Sequence, residues 1–426
     1  MTEQTDGDAT ESQSAPDPEP EAPAPETTKR ARRAPGDTPA PQSFDMPVKD
    51  LRAALKGLTD VVEARNTIPI LSNVLLELAP ARLTLTATDL DLWMVRHVSI
   101  ETESAGDFVD GFATTLCAKM ARQIADKLPA EAMVTITYDA GKVTFAAGRA
   151  RFKVPTLPPE DFPRPSFAEP RHQFDMPSFD LQTMLAAVRF AMSNDETRFY
   201  LGGVYLHATT APGPTGDGEG TLMVLRGVTT DGSRLATFDV TQPDGAGALD
   251  GVIVPRKTVK ALDGLLDGFS GMVDVSIGEL AMVVDLGDTV VFSKLIDGTF
   301  PDYTRVIPTG NDRTVTFDPK AMIEAVGRVT LMAGDKSRIL RLDFAQDLMT
   351  LSSRSPEQGE AVEELPCDYD GPVFHIGFNG GYMAEICAHL QGDSATMAMA
   401  DAAAPTLLRD FNPEARGLFV LMPMRV

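Results

Sequence analysis

The sequence has few cysteines and no long apolar segment. Cysteine occurs at only three positions, Cys117, Cys367 and Cys387, which lie far apart. An odd number of distant cysteines argues against a disulfide framework and favours a reducing compartment, so we expect a cytoplasmic protein. No run of about 18 or more apolar residues occurs, and the first residues lack the basic-then-apolar order of a signal peptide. These absences argue against a membrane span and against secretion.

The common sequence signatures of catalysis are also missing. The chain has no Walker-type phosphate loop and no HExxH, GxSxG or CxxC motif, and its histidines are scattered. The pair Cys387-x-His389 has no further ligands at metal-binding spacing. Asp89 and Asp91 could form a metal site, but their alternation predicts that both lie on one face of a strand, where an exposed edge explains them equally well. We therefore predict no catalytic residues, no metal and no cofactor.

The net charge of −23 ordinarily argues against a nucleic-acid partner, because Lys and Arg neutralise phosphates. The distribution of charge matters more than its sum. Residues 1–43 contain nine acidic and four basic residues, which gives −5 and leaves −18 on the remainder. With eight prolines and almost no large apolar side chains, this segment is predicted to be a disordered tail.

A repeated helix start indicates three similar units. Phe44-Asp45-Met46-Pro47 recurs as Phe174-Asp175-Met176-Pro177 and, in a weaker form, as Phe317-Asp318-Pro319. Apolar residues at helical spacing follow each copy, and in the first copy we expect the aspartate to cap a helix that begins at the proline.

Each unit also has a second predicted helix and alternating strand segments. The second helices are predicted at 116–128, 255–266 and 379–390, and the strands include 82–88, 134–138 and 273–277. We therefore expect an α+β fold in which each unit packs two helices on antiparallel sheet.

The junction 294–308, KLIDGTFPDYTRVIP, belongs to two of these patterns. Leu295 followed by Phe300-Pro301 repeats the spacing of Leu157 followed by Phe162-Pro163, so the junction ends one unit and precedes the next. An aromatic residue, a cation and several prolines are typical of a rigid linker, and they can also form one wall of a pocket.

Several stretches of the sequence carry a family resemblance. They are 65–71 (RNTIPIL), 191–203 (AMSNDETRFYLGG), 230–236 (TDGSRLA), 252–257 (VIVPRK), the junction, 355–358 (SPEQ) and 422–426 (MPMRV). Together, in order from about residue 44 to the end, they resemble the bacterial DNA polymerase III beta subunit, the replicative sliding clamp.

The resemblance implies clamp domains at 44–172, 173–311 and 312–426 behind the tail of 1–43. It also implies a head-to-tail homodimer that closes into a ring, with helices lining the hole and sheets outside. Such a ring would encircle duplex DNA, tether the replicative polymerase and other partners, and hydrolyse nothing. A separate ATP-dependent clamp loader would place it on DNA, in the cytoplasm at the nucleoid.

Basic residues on the inner helices would face the duplex in such a ring. They are Lys49, Arg52, Lys56, Lys119, Arg122, Arg256, Lys257 and Lys260. The DNA contacts of the family fall on Arg65, Lys119, Asn194, Asp195, Arg198, Phe199 and Tyr200, to which we add Arg256 and Lys257. The chain departs from better-known members at Asp195, which replaces an amide side chain, and at Phe199, which lacks a hydroxyl.

The family's partner-peptide pocket lies between the second and third units, and a short peptide with Leu or Phe anchors would suit it. The matching residues are Leu201, Thr230, Gly232, Arg234, Leu235, Pro301, Arg305, Val306, Asn379, Tyr382, Val420, Leu421, Met422, Pro423, Met424 and Arg425. Ser233 stands where histidine is familiar, and Pro405 stands where serine is.

The dimer contact of the family uses two different surfaces of each chain. One matches Arg149, Arg151, Phe152 and Val154, and the other matches Leu331, Met332, Glu360 and Glu363. Opposite charges beside apolar contacts give such an interface register and selectivity.

Three alternatives to a housekeeping clamp are open at this point. The departures at Ser233 and Pro405 would suit a paralogous clamp that resists an inhibitor of the pocket, and peptide affinity would discriminate it. An enzyme acting on nucleic acid through Asp89 and Asp91 would show metal-dependent turnover. A free-standing interaction scaffold would act without DNA topology.

Overall fold

The computed structural model describes residues 42–63, 67–79, 81–100, 112–212, 221–334, 338–412 and 414–426. The tail, except its last two positions, and Arg65 lie outside these ranges. The first strand begins at Gln42, so the predicted end of the tail at residue 43 falls inside that strand.

The first unit combines helices with short antiparallel strands. Its helices are α1 (Val48–Leu55), α2 (Leu58–Val61) and α3 (Ala118–Lys127). Its strands are β1 (Gln42–Pro47), β2 (Asn73–Ala79), β3 (Arg82–Thr88), β4 (Leu92–Ser99), β5 (Phe112–Cys117), β6 (Met133–Asp139), β7 (Lys142–Ala147) and β8 (Ala150–Pro155).

The second unit repeats this order of elements. Its helices are α4 (Ser178–Val188) and α5 (Arg256–Leu266). Its strands are β9 (His172–Pro177), β10 (Gly203–Pro212), β11 (Thr221–Thr230), β12 (Arg234–Thr241), β13 (Val252–Pro255), β14 (Met272–Ile277), β15 (Ala281–Asp285) and β16 (Thr289–Lys294).

The third unit does so again. Its helices are α6 (Pro319–Val329) and α7 (Gly380–Cys387). Its strands are β17 (Arg313–Phe317), β18 (Ile339–Ala345), β19 (Leu348–Ser355), β20 (Gly359–Pro366), β21 (Phe374–Asn379), β22 (Ala395–Met399), β23 (Thr406–Asp410) and β24 (Gly417–Leu421). The predicted α+β fold of three similar domains is confirmed.

Neighbouring units share their sheets. One eight-stranded sheet has the order β5-β2-β3-β4-β16-β15-β14-β9, so β4 of the first unit pairs with β16 of the second. The other has the order β13-β10-β11-β12-β24-β23-β22-β17, so β12 of the second unit pairs with β24 of the third. The sheets β1-β6-β7-β8 and β20-β19-β18-β21 stay four-stranded. Each unit thus contributes two half-sheets, and in the described chain only the outermost half-sheets have no partner.

Two details of the predicted helix starts are corrected by the structure. Asp45 lies inside β1, and α1 begins after Pro47 without a side-chain cap, because the residues preceding the helix are extended. The predicted first helix also breaks at Gly57, whose φ of 82° ends one helical segment and lets α2 begin. In the third unit Asp318 does cap its helix, accepting hydrogen bonds from the N–H groups of Lys320 and Ala321.

The core lies between the helices and the inner faces of the sheets. One cluster of buried side chains runs through all three units, including Phe145 in the first, Met184 in the second and Phe344 in the third. Among the described helices, none is long and apolar enough to cross a membrane. Two smaller buried clusters lie where the linkers between units pack on the sheets, one around Phe162 and one around Phe300 and Tyr303.

Candidate functional site

A cavity of about 170 Å³ lies at the junction of the second and third units. Its lining is Leu201, Thr230, Gly232, Arg234, Leu235, Pro301, Asp302, Tyr303, Val306, Val420 and Met422. Most of the predicted pocket residues are thus brought together by β12, β24 and the linker between the units. We call this cavity the groove. An apolar cavity with a few polar groups at its edge can hold the apolar side chains of a short peptide.

A tight turn between β11 and β12 forms one end of the groove. Asp231 accepts hydrogen bonds from the N–H groups of Ser233 (2.8 Å) and Arg234 (3.0 Å). Gly232 has a φ of 90°, and a Cβ there would lie 2.9 Å from a guanidinium nitrogen of Arg198. The left-handed conformation of this turn therefore favours glycine, while the Arg198 side chain could move aside for a Cβ.

Tyr303 forms a wall of the groove that the residues carried over from the family did not include. Its ring is buried, and its hydroxyl lies 3.0 Å from Nε2 of His207 and accepts from Arg226 at 3.3 Å. Burial lowers the pKa of His207, and its Nδ1 faces the carbonyl of Ala208, so Nδ1 carries the proton and Nε2 accepts from the tyrosine. These contacts hold Tyr303, the aromatic residue of the junction, in place. Asp302 also lines the groove, and no pattern in the sequence indicated it.

Arg234 connects the groove to the third unit. Its guanidinium lies over the rings of Phe190 (5.1 Å to the centroid) and Tyr382 (4.2 Å). It forms ion pairs with Asp231 and Glu385, and its side chain is only 9% exposed. Tyr382, predicted for the pocket, therefore contacts Arg234 and is not itself part of the lining of the groove. Asn379, also predicted for the pocket, caps α7 by accepting from the Tyr382 N–H.

The other predicted pocket residues do not line the cavity. Arg305 is exposed and pairs with Asp302 at 2.8 Å. Leu421 is fully buried in the main core. The chain then turns away towards β21, where the Met424 N–H donates to the Gly377 carbonyl at 2.8 Å. Pro423 and Arg425 flank this contact and are likewise absent from the lining.

The loop predicted to touch DNA is held by internal contacts. Asn194 is exposed, and the carboxylate of Asp195 accepts from Arg198 at 2.9 Å. Hydrogen bonds from Thr197 and Arg198 hold the pKa of the Asp195 carboxyl below its usual range. The residue that replaces an amide therefore neutralises the neighbouring arginine.

The aromatic pair that follows is divided between surface and core. Phe199 is 55% exposed, whereas Tyr200 packs against the buried cluster under the groove. The two rings meet edge to face, with centroids 5.8 Å apart. The exposed ring of Phe199 offers an apolar surface without a hydroxyl.

Several of the predicted lumen bases are engaged within the chain. Arg256 donates to the carbonyl of Ser193 at 2.7 Å, and burial lowers its pKa. Lys257 donates to the carbonyl of Val61 at 2.8 Å and pairs with Asp89.

Arg52 is engaged in the same way, because it caps the C-terminal end of α3. It donates to the carbonyl of Ala125 at 2.8 Å and to that of Leu128. Lys49, Lys56, Lys119 and Lys260 are exposed. Exposed lysines thus remain available to phosphates, while the engaged bases stabilise the junction and the helices.

Asp89 and Asp91 do not form a paired site on one strand face. They lie in the turn between β3 and β4, and each binds a different lysine of the second unit, Lys257 and Lys294. Within the described ranges, no group of three or more metal-ligating side chains could hold a metal ion. Cys387 is a core residue with 1% of its surface exposed, and this burial raises the pKa of its thiol to about 12. Asp89 and Asp91 therefore connect the first unit to the second through their ion pairs with Lys257 and Lys294.

The predicted dimer surfaces lie at β8 and at β20, each of which is an edge strand of a four-stranded sheet. On β8, Arg151 is exposed, Phe152 is half-buried and Val154 is buried, with Arg149 exposed in the preceding turn. On the opposite end of the chain, Glu360 is exposed on β20.

Of the remaining predicted residues of that second surface, Glu363 also lies on β20, and Leu331 and Met332 lie in the turn that follows α6. Leu331 is 71% exposed and Met332 is half-buried. Glu363 is already paired with Arg328 of its own chain at 2.7 Å, which holds the pKa of that glutamate below its usual range. One predicted charge is therefore shared with an internal partner.

Family comparisons agree with the threefold organisation. The DNA polymerase III beta subunit family matches as an N-terminal domain at 43–166, a central domain at 175–302 and a C-terminal domain at 304–425. The beta sliding clamp of Caulobacter vibrioides is 38% identical over 379 residues, covering 88% of this chain and 98% of its own. The Escherichia coli K12 beta sliding clamp is 31% identical over 385 residues, covering 90% and 100%.

Solved structures give the same result. A sliding clamp from Bartonella birtlesii bound to griselimycin has a TM-score of 0.84 and 35% identity, covering 91% of this chain and 100% of its own. Caulobacter crescentus pol III beta has a TM-score of 0.82 and 38% identity, covering 90% and 100%. These comparisons do not favour the enzyme or paralog alternatives. The chain belongs to the bacterial DNA polymerase III beta subunit family, the beta sliding clamps.

Proposed function

We propose that copies of this chain join head to tail into a closed ring, a DNA sliding clamp that tethers the replicative polymerase and confers processivity. One observation carries the proposal: β4 and β12 each pair with the last strand of the next unit, whereas the equivalent strands β20 and β8 are open edges. Pairing β20 of one copy with β8 of another would repeat the junction that the chain already makes twice. Two such contacts close a dimer of six units.

The charges of the two edges support this pairing. The β8 edge presents Arg149, Arg151 and Lys153, and the β20 edge presents Glu360 and Glu364. Complementary charge selects this partner and register over pairing of like edges. Leu331 supplies an apolar contact beside the acidic edge.

An acidic chain can hold DNA by topology rather than by affinity. Each phosphate neutralised makes affinity fall by about 0.9 log unit per log unit of salt, so a few exposed lysines could not retain DNA alone. A closed ring needs them only to orient the duplex and during loading. The resemblance to sliding clamps implies a separate ATP-dependent clamp loader for this step, and this chain has no phosphate-loop motif with which to replace it.

The groove supports the docking of partners. Its apolar base and the polar turn at residues 230–235 suit a short peptide with Leu or Phe anchors, carried by the polymerase and the loader. We place this activity in the cytoplasm, at the nucleoid during replication.

The test is retention on DNA with and without ends. The protein is loaded on nicked circular DNA by a clamp loader, the salt is raised, and the circle is then linearised. A ring stays bound before the cut and is released after it. Equal salt-induced loss from circular and linear DNA would show ordinary electrostatic binding and contradict the proposal.

A further inference from the structure

The turn at the end of the groove recurs at the junction of the first and second units. Asp89 accepts from the N–H groups of Asp91 (3.0 Å) and Leu92 (2.7 Å), as Asp231 does in its own turn. Leu90 has a φ of 81°, close to the 90° of Gly232. The two turns therefore have the same backbone, although a leucine in this left-handed conformation is strained.

The strands that flank the two turns are also equivalent. The Lys294 N–H donates to the Asp91 carbonyl at 2.8 Å, and the Met422 N–H donates to the Ser233 carbonyl at 2.9 Å. One residue pair then follows in each junction: Trp93 lies opposite Phe292, and Leu235 lies opposite Val420. The backbone frame of the groove is thus present twice in each chain.

The side chains on this frame differ in size. Leu235 and Val420 are buried at the base of the groove. At the first junction their places are taken by Trp93 and Phe292, two large aromatic residues on the same outer face.

The indole of Trp93 also reaches across the frame. Its Nε1 donates to the carbonyl of Pro163 at 3.2 Å. Pro163 is the counterpart of Pro301, which forms the groove wall, because both follow a phenylalanine in the repeated linker. The indole therefore joins the strand to the linker where the groove at the second junction is open.

We propose that the first junction carries a second copy of the groove, closed by Trp93 and Phe292, and that this closure limits each chain to one partner peptide. The proposal rests on the groove being the peptide site. Trp93 is then a residue that determines how many partners a ring can hold, without itself contacting any of them. The backbone frame at the first junction is suited to the same class of ligand as the groove, a short peptide with Leu or Phe anchors.

The direct test exchanges the two residue pairs. In Trp93→Leu/Phe292→Val, calorimetry with a Leu/Phe-bearing polymerase peptide should give two sites per chain instead of one. The new site should bind the peptide up to about 100-fold more weakly than the groove. The reason is that Leu90, Leu92 and Lys294 still stand where the groove has Gly232, Arg234 and Met422. In the reciprocal variant Leu235→Trp/Val420→Phe, peptide binding should be lost. A folded gain variant that still binds one peptide overturns the proposal.

A second measurement uses the wild-type chain and needs no variant. Trp93 is the only tryptophan in the sequence, so its emission reports on the first junction alone. Saturating peptide should leave the emission unchanged, and a binding-linked shift would mean that the first junction is already open. If the wild type binds no peptide at all, the proposed docking function fails, which is distinct from one site persisting in the exchange variant.

Discussion

The ammonium group of Lys257 donates a hydrogen bond to the carboxylate of Asp89 across the junction between the first and second units. The carboxylate is 7% exposed and also accepts from two backbone N–H groups of its turn. Removing the lysine would leave this buried charge without its cationic partner, which is more costly than losing an exposed ion pair.

We expect Lys257→Met to destabilise the chain by about 1–3 kcal/mol, less than for a fully buried pair, because the lysine is 36% exposed. Lys294→Met is the matched control, since it breaks the exposed pair with Asp91 at the same junction and should cost at most about 1 kcal/mol. Urea unfolding measures both. Equal effects would show that burial of Asp89 does not matter.

The dimer should depend on Leu331 and Met332. Leu331 is 71% exposed in the single chain, so Leu331→Ala/Met332→Ala should barely change the stability of one subunit. Buried in an interface, such side chains contribute about 2–5 kcal/mol each when well packed, so the dimer should weaken by far more than tenfold. Light scattering at low micromolar concentration reports the mass. Phe179→Ala, also 71% exposed but on α4 of the second unit, which contains neither β8 nor β20, should leave the dimer intact.

The threefold fold could be predicted from the sequence because it is encoded locally. The Phe-Asp-Met-Pro and Phe-Asp-Pro starts, with apolar residues at helical spacing behind them, located α4 and α6 directly, and Asp318 next to Pro319 caps its helix. Asp45 lies two residues before Pro47 instead of next to it, so it falls inside β1 and does not cap α1.

The use of individual charges could not be predicted in this way. Arg52 lies on a polar helical stripe, but its acceptors are more than 70 residues away in the sequence. Lys257 and Asp89 are 168 residues apart. Such distant contacts decide which basic residues stay free to contact DNA. Helical spacing predicted the helix face on which each base lies, but it could not predict the groups that the base binds.

Three aspartates lie side by side on β9, β14 and β15. Asp274 is opposite both Asp175 and Asp285. A hydrogen bond with Asp175 raises the pKa of the Asp274 carboxyl, and slight desolvation and repulsion from both neighbours raise it further, although the side chain is exposed. The folded state thus holds this proton more tightly than the unfolded state, so the row destabilises the fold at neutral pH and less so as pH falls.

Asp274→Asn should therefore raise the melting temperature at pH 7, by the equivalent of a few tenths of a kcal/mol, because the group is exposed and screened. The gain should shrink as the pH is lowered through the raised pKa. Calorimetry at pH 7 and near pH 4 compares the two. A gain that grows towards low pH would contradict the assigned sign.

The last residues of the chain contact both the groove and strand β21, and truncations of different length can separate the two contacts. Met422 lines the groove, whereas the Met424 N–H donates a hydrogen bond to Gly377 of β21. Val426 also packs on this strand, so closely that a Cβ at Gly377 would overlap it. Deleting 424–426 should lower the melting temperature by uncovering β21, yet leave peptide affinity within about threefold.

Deleting 422–426 should in addition remove the groove wall and weaken peptide binding by more than about tenfold. Neither truncation touches β8 or β20, so light scattering should still find the dimer. Calorimetry with the polymerase peptide discriminates the two truncations. If both lose the peptide equally, the terminal residues act by holding β21 in place, and Met422 is not the residue through which the C-terminus shapes the groove.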